Sequence, residues 1–183
     1  MSTRRLFTAL DVPAAVRDAL TALRTDDLDG ARWTKPEQLH CTLRFLGDTP
    51  EEQIPEIEAA LAALDTPPPL DLRLDGLTAF PSRRRPRVLV ARIPPDDDLL
   101  ALQQRIENAM QRLGFEAESR RFRPHITVAR LKRADAGAVH AWLRTHTADA
   151  AFSVDAFHLY ASVLTPSGAV HERLASFPLA GTR

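Results

Sequence analysis

Apolar residues along this chain recur at two spacings, every second position in short runs and every third or fourth in longer ones, and the two kinds of run alternate from end to end. Arg5 to Val12 alternates loosely and predicts a first strand. Pro13 to Arg24 follows as a helix, with Val16, Leu20 and Leu23 on one side and a proline where a first turn tolerates it. Past a turn at Asp26 to Gly30, Leu39 to Leu46 reads as a strand closed by Gly47. Thr49-Pro50-Glu51-Glu52 has the cap, proline and acids of a helix start, and Ile54, Ile57, Leu61 and Leu64 give its apolar stripe until Pro67 to Pro69 stop it. Leu70 to Phe80 and Val88 to Ile93 predict a hairpin around a basic loop at Arg83 to Arg87. Asp96 to Leu113 is the strongest helix, acidic in its first turn, with Leu99, Leu102, Ile106 and Met110 inward and Gly114 as the stop. Pro124 to Leu131 is a further strand and Ala134 to Thr145 a short helix. Phe152 to Val163 and Val170 to Phe177 close the chain around the turn Thr165-Pro166-Ser167-Gly168.

The strands at Leu39 and Pro124 are each followed by a helix, so the two halves of the chain repeat one arrangement. That predicts an α+β fold with an internal near-duplication, most simply two lobes whose sheets face one cleft. No Gly- or Ser-rich linker divides the halves, and residues 1–183 are expected to form one domain.

The halves also share a short word. His40-Cys41-Thr42 and His125-Ile126-Thr127 each sit within a predicted strand. Strand side chains alternate between faces, so the His and Thr of each copy point to one side and the residue between them to the other. Two such strands set side by side would bring two imidazoles and two hydroxyls to one cleft, enough for paired acid and base chemistry on a small anionic centre. Cys41 faces away from both pairs and is expected in the core.

Composition then narrows the class. With 44% hydrophobic residues and no long polar tract the chain reads as globular, and a formal net charge of zero disfavours a protein that coats long nucleic acid by bulk charge. Its only lysines are Lys35 and Lys132, so the positive charge is nearly all Arg, the better fork for phosphate oxygens. A single cysteine, Cys41, excludes an intrachain disulfide and a thiolate metal cluster, and fits a reducing cytoplasm. The apolar stretch before Asp11 is too short for a signal sequence or a membrane span, so a cytoplasmic chain without membrane contact is expected.

On these residues the chain resembles the 2H phosphoesterase superfamily, and within it the RNA 2',3'-cyclic phosphodiesterases, also called 2'-5' RNA ligases. Arg5 to Leu10 resembles the family's opening strand, Leu39 to Gly47 its first motif block, Arg123 to Arg130 its second, and Leu159-Tyr160-Ala161-Ser162 its closing strand. The resemblance implies a bilobal fold of two pseudo-symmetric lobes, antiparallel sheet flanked by helices, around a central cleft that holds both histidines. It also implies metal-independent hydrolysis of a 2',3'-cyclic phosphate to a 2'-phosphate, without a cofactor. The substrate would be an RNA terminus or a small cyclic nucleotide, and the protein a monomer with no obligate protein partner.

Roles follow for individual residues. An imidazole pKa near 6.5 lets one neutral and one protonated copy coexist near neutral pH. His125 is assigned as general base and His40 as general acid on the 3' oxygen, symmetry making the reverse nearly equivalent. Thr42 and Thr127 would donate hydrogen bonds to the non-bridging oxygens. The resemblance suggests a phosphate or ribose contact for Arg130, although regular strand parity puts it on the face opposite Thr127 unless the strand bends or ends. Phe7 resembles the family's base-stacking aromatic. Arg123, with the cluster Arg120 to Arg123, would hold an RNA backbone by phosphate contacts that position without reading sequence, whereas Arg83 to Arg87 reads as a solvated loop. His171 stands near where relatives often carry Tyr, which puts nucleotide stacking there in question. His158 is a second departure, and His140 and His146 are expected at the surface. Three rival readings are 2'-5' ligation through the same site, a non-catalytic module holding a nucleotide or RNA end, and a metal hydrolase, for which the strand His-x-Thr lacks a third ligand.

Overall fold

The computed structural model describes residues 1–180. In chain order its strands are β1 (Thr3–Asp11), β2 (Ala31–Trp33), β3 (His40–Pro50), β4 (Leu70–Asp75), β5 (Leu77–Pro81), β6 (Pro86–Arg92), β7 (His125–Leu131), β8 (Asp149–Val154), β9 (Ala156–Thr165) and β10 (Gly168–Pro178). The helices are α1 (Ala14–Thr21), α2 (Ile54–Ala62), α3 (Asp97–Arg112) and α4 (Ala136–Thr145). Two four-stranded antiparallel sheets, ordered β10-β9-β1-β3 and β2-β7-β6-β5, carry the two signature strands, and β4 and β8 form a separate two-stranded ribbon. This is the α+β arrangement expected from the repeated pattern. The signature strands β3 and β7 lie against one another where the two sheets meet.

The core follows the periodicities. Leu99, Leu102, Ile106 and Met110 of α3 are fully buried, each stabilising the fold by roughly 1.5–3 kcal/mol through lost apolar surface. Asp96 caps that helix, its carboxylate accepting from the Leu99 amide at 3.0 Å, a contact worth about 1 kcal/mol. Leu70, Leu72 and Leu74 turn inward from β4 while Asp71, Arg73 and Asp75 face solvent. A buried ion pair between Arg44 of β3 and Glu107 of α3 ties a signature strand to the longest helix. The same guanidinium donates to the carbonyls of Phe45 and Glu116, and Glu107 accepts from the Glu118 amide, so the segment after α3 is anchored as well.

Several boundaries differ from the sequence reading. The run Leu70 to Phe80 is two strands, because Gly76 takes φ +81° and sends β4 to pair with β8 while β5 pairs with β6. Phe152 to Val163 likewise divides at Asp155 into β8 and β9. Gly47 does not close β3: at φ +75° it kinks the strand, which continues to Pro50. Thr49 is therefore a buried strand residue whose hydroxyl donates to the Gly47 carbonyl at 3.0 Å, and α2 begins only at Ile54 after a 3-10 turn, Glu51–Gln53. The short edge strand β2, which pairs with β7, carried too few residues to show a period.

Candidate active site

His40 and His125 each open a strand and present the same local geometry. The His40 Nδ1 lies 2.6 Å from the Gln38 carbonyl, and the His125 Nδ1 lies 2.6 Å from the Arg123 carbonyl, in both cases two residues upstream. A carbonyl only accepts, so Nδ1 carries the hydrogen in both rings and Nε2 is left as the reactive nitrogen. The His40 Nε2 is 2.9 Å from Thr42 Oγ1, which donates to it when the ring is neutral. Thr127 stands at the matching position of β7, with its carbonyl held by the Thr34 hydroxyl at 3.0 Å. Cys41 is buried, and loss of solvation pushes its thiol up to about 12, so it is an inert core group.

Both signature strands break their alternation at the same place. Ala9 pairs with Thr42 and Thr8 with Arg44, so Leu43 has no partner on β1; Val90 pairs with Thr127 and Leu89 with Ala129, so Val128 has none on β6. Each is a β-bulge, an inserted residue that reverses strand parity beyond it. The burial pattern shows the reversal, with Leu43 and Arg44 both buried in one strand and Val128 and Ala129 both buried in the other. Arg130 therefore returns to the face that carries His125 and Thr127, against the expectation from regular parity. Its charge acts on His171 across the cleft. At the equivalent position of β3 stands Phe45, 57% exposed with its ring 5.9 Å from that of Phe7. Sequence reading missed Phe45 because the bulge that turns it toward the cleft leaves no mark in composition.

The surroundings of the two histidines differ. Phe7 lies 5.1 Å from the His40 ring and stacks at 5.4 Å on Tyr160, while His171 stands edge-on to Phe7 at 4.9 Å and to His40 at 5.1 Å. Phe7 is therefore a buried member of this aromatic cluster, with only 3% of its surface exposed, rather than an open stacking surface. His171 joins the same aromatic cluster. Behind it, Asp11 accepts from Tyr160 and Arg173 and lies 3.6 Å from the His158 Nε2. Sequence reading noted only His158 and, within the stretch resembling the family's closing strand, Tyr160; the network itself depends on β1, β9 and β10 being neighbours. His125, by contrast, meets a single ring, Phe80, edge-on at 5.1 Å.

Burial drives the His40 pKa down to about 4, with the charges of His171 and His125 adding to the effect and the Gln38 carbonyl and Asp11 opposing it. His125 is lowered by burial against the pull of the Arg123 carbonyl. Burial and Arg130 lower His171. In the free protein, then, the cleft holds neutral imidazoles beside the Arg130 cation. The remaining expected residues are more dispersed. Arg123 contributes its carbonyl to His125 and its exposed side chain to a neighbouring cavity. Arg83 to Arg85 are exposed at the β5–β6 turn, away from both histidines in sequence and pairing. His140 is exposed, whereas His146 is half-buried and stacks at 4.4 Å on Trp142. Among the described residues no group of three or more His, Cys, Asp and Glu side chains is placed to hold a metal ion, and no helix is long and apolar enough to cross a membrane.

A family model described as the 2'-5' RNA ligase superfamily matches residues 12–164. The chain is 35% identical over 187 residues to an RNA 2',3'-cyclic phosphodiesterase of Thermus thermophilus, covering 97% of this chain and 91% of that protein. It is 30% identical over 177 residues to one of Archaeoglobus fulgidus, with 94% and 99% covered. Among solved structures, TT0787 of Thermus thermophilus matches with a TM-score of 0.82 at 30% identity, over 98% of this chain and 100% of that one. E. coli LigT complexed with 3'-AMP matches with a TM-score of 0.78 over 97% and 99%, and at 24% identity it speaks to the fold. A family match over residues 12–164, with relatives at 30–35% identity and a solved structure of the same fold across nearly the whole chain, places this protein in the 2'-5' RNA ligase superfamily of 2H phosphoesterases.

Proposed function

We propose that the protein opens RNA 2',3'-cyclic phosphate termini to 2'-phosphates, without a metal, by general acid and base catalysis from His40 and His125 within a single two-lobed domain. The observation that carries the reading is the matched pair of imidazoles, each tied through Nδ1 to a carbonyl and so left with Nε2 as its reactive atom. Relatives named RNA 2',3'-cyclic phosphodiesterase over nearly the whole chain support the substrate class.

In this reading the cyclic phosphate sits between the two Nε2 atoms. His125 takes a proton from water as the water oxygen bonds to phosphorus. The bond from phosphorus to O3' breaks, and O3' takes a proton from His40, leaving the phosphate on O2'. Burial keeps His40 neutral in the free protein, against the smaller opposing pull of the Gln38 carbonyl and the Asp11 carboxylate, so in this order the bound anionic phosphate is what favours its protonation. Thr42 and Thr127 donate to the non-bridging oxygens as charge grows on them, and Arg130 pairs with the charge that the bound phosphate already carries. Each positioned acid or base contributes on the order of a hundred- to ten-thousandfold in rate. With the 5'-hydroxyl of a second strand in place of water, the same step would join two ends. O5' bonds to phosphorus as His125 takes its proton, the bond from phosphorus to O3' breaks, and O3' takes a proton from His40. A 2'-5' phosphodiester results, in keeping with the superfamily's name.

The test is incubation of chelator-treated protein with a short RNA ending in a 2',3'-cyclic phosphate, with the product identified by phosphorus NMR. A 2'-phosphomonoester formed at the untreated rate is expected. Binding without turnover would leave a nucleotide-holding module, loss of the rate with chelator would make the site metal-dependent, and a 3'-phosphate product would reverse the bond that breaks.

A further inference from the structure

Beside His125 lies a cavity of about 690 Å³ that the chemistry above does not use. It is bounded by α3, the end of β6 and the segment that leads into β7. Its walls include Arg92, Arg120, Arg121 and Arg123, with Phe80 and Phe122 as the aromatic surfaces. That volume is within the few hundred to a thousand Å³ typical of a small-ligand site. Two contacts make it continuous with the candidate active site. Phe80 lines the cavity and also stands 5.1 Å from the His125 ring, and Arg123 lines it while its carbonyl holds the His125 Nδ1.

The charge balance of the cavity is positive. Glu107 and Glu118 also line it, but Glu107 is neutralised by the buried Arg44, and Glu118 lies 3.6 Å from Arg120. Arg121 and Arg123 are exposed and make no ion pair among the described residues. Two free guanidinium groups, two aromatic surfaces and a link to His125 are the elements of a single-strand nucleic-acid subsite. The guanidinium groups suit a phosphodiester, and the rings give a base a surface that tolerates any sequence. The Arg44–Glu107 anchor on the segment around Glu116 and Glu118 holds this wall in place without a ligand, so little ordering is needed on binding.

We propose that this cavity binds the nucleotide preceding the terminal one, so that the protein engages an RNA strand across two nucleotides rather than its cyclic phosphate alone. The inference rests on the function proposed above. Arg121 and Arg123 hold the phosphodiester on the 5' side of the terminal nucleotide, and the preceding base rests against Phe122 and Phe80. A mononucleotide 2',3'-cyclic phosphate fills only the space between His40 and His125.

The experiment compares adenosine 2',3'-cyclic phosphate with a short RNA oligomer ending in the same group, for the wild type and for Arg121→Ala, which leaves the His125 tether at Arg123 in place. The wild type is expected to prefer the oligomer by about tenfold or more in kcat/KM. The variant should lose most of that preference through a raised KM for the oligomer, keep the mononucleotide rate, and show a salt dependence shallower by about 0.7 in log–log slope for one lost phosphate contact. No preference in the wild type, or an equal loss on both substrates in the variant, overturns the proposal. If the wild type turns over neither substrate, it is the proposed function that has failed. Fluorescence anisotropy with an oligomer ending in a 3'-hydroxyl then decides the cavity: binding weakened about tenfold in the variant supports it, and unchanged binding overturns it.

Discussion

The two halves of the cleft are built on one plan and furnished differently. On β3 and on β7 a histidine opens the strand, its Nδ1 is tied to the carbonyl two residues back, a threonine follows on the same face, and a bulge turns one further side chain into the cleft. What that last side chain is differs: Phe45 in one half, Arg130 in the other. His40 adjoins Phe7 and His171, on which Tyr160 packs in turn, with Asp11 nearby, whereas His125 adjoins Phe80 and an arginine-lined cavity. The repeated arrangement presents two equivalent Nε2 atoms; in the function proposed, the divergence around them would give the pair a direction, with aromatic rings on one side and arginines on the other.

The largest effect that separates the halves concerns the leaving group. His40→Ala and His125→Ala should each cost about a hundred- to ten-thousandfold in kcat on an RNA cyclic phosphate. Replacing the bridging O3' with sulfur creates a leaving group that departs as a thiolate and needs no proton, thiols ionising near 8.5. The deficit of His40→Ala should then shrink to within about tenfold, while that of His125→Ala persists. Rescue of His125→Ala instead would exchange the two roles.

The threonines come next. Thr42→Val and Thr127→Val keep shape and remove a donor, and by analogy with other oxyanion contacts each should lower kcat about a hundredfold with KM nearly unchanged. A loss confined to KM would mean that the hydroxyls hold the ground state only. At the divergent position, Arg130→Ala should raise KM for a mononucleotide cyclic phosphate about tenfold, the worth of one charge-assisted hydrogen bond. Phe45→Ala should change the same KM by less than about threefold, because its ring offers surface and no charge. Equal effects would erase the distinction between the two walls.

The smallest separation is in stability. His40 and His125 both have folded pKa values below the ordinary 6.5, so the unfolded chain binds more protons as pH falls. Stability is therefore full above about 6.5 and declines as pH drops toward 4, by as much as about 3 kcal/mol for the more deeply buried His40. Urea unfolding from pH 7 to 4.5 should show that decline, and His40→Gln should flatten it more than His125→Gln. A midpoint independent of pH would contradict the depressed values.

Periodicity made much of this legible in advance. The stripe of α3 and the alternation of β4 place their residues where the sequence spacing puts them, because burial of apolar surface is what both the spacing and the fold express. The two His-x-Thr words were legible for the same reason, since their side chains share a face in any regular strand. What escaped depends on pairing between distant segments. A bulge is a mismatch of two strands, so one sequence carries no sign that Val128 is unpaired or that Arg130 has changed face. Asp11, Tyr160 and Arg173 are far apart in the chain and meet only because β1 lies beside β9 and β9 beside β10. The cavity beside His125 escaped as well, although its arginines were visible as a cluster directly before the second motif.

That two imidazoles act as one unit is the centre of this account, and a kinetic cycle tests it most directly. The kcat/KM for a chelator-treated RNA 2',3'-cyclic phosphate reaction should be measured for the wild type, His40→Ala, His125→Ala and the double variant. If acid and base act in the same transition state, each single variant loses most of what the double variant loses, and the two losses do not add. Full retention of rate by either single variant, or losses that add independently, would contradict it.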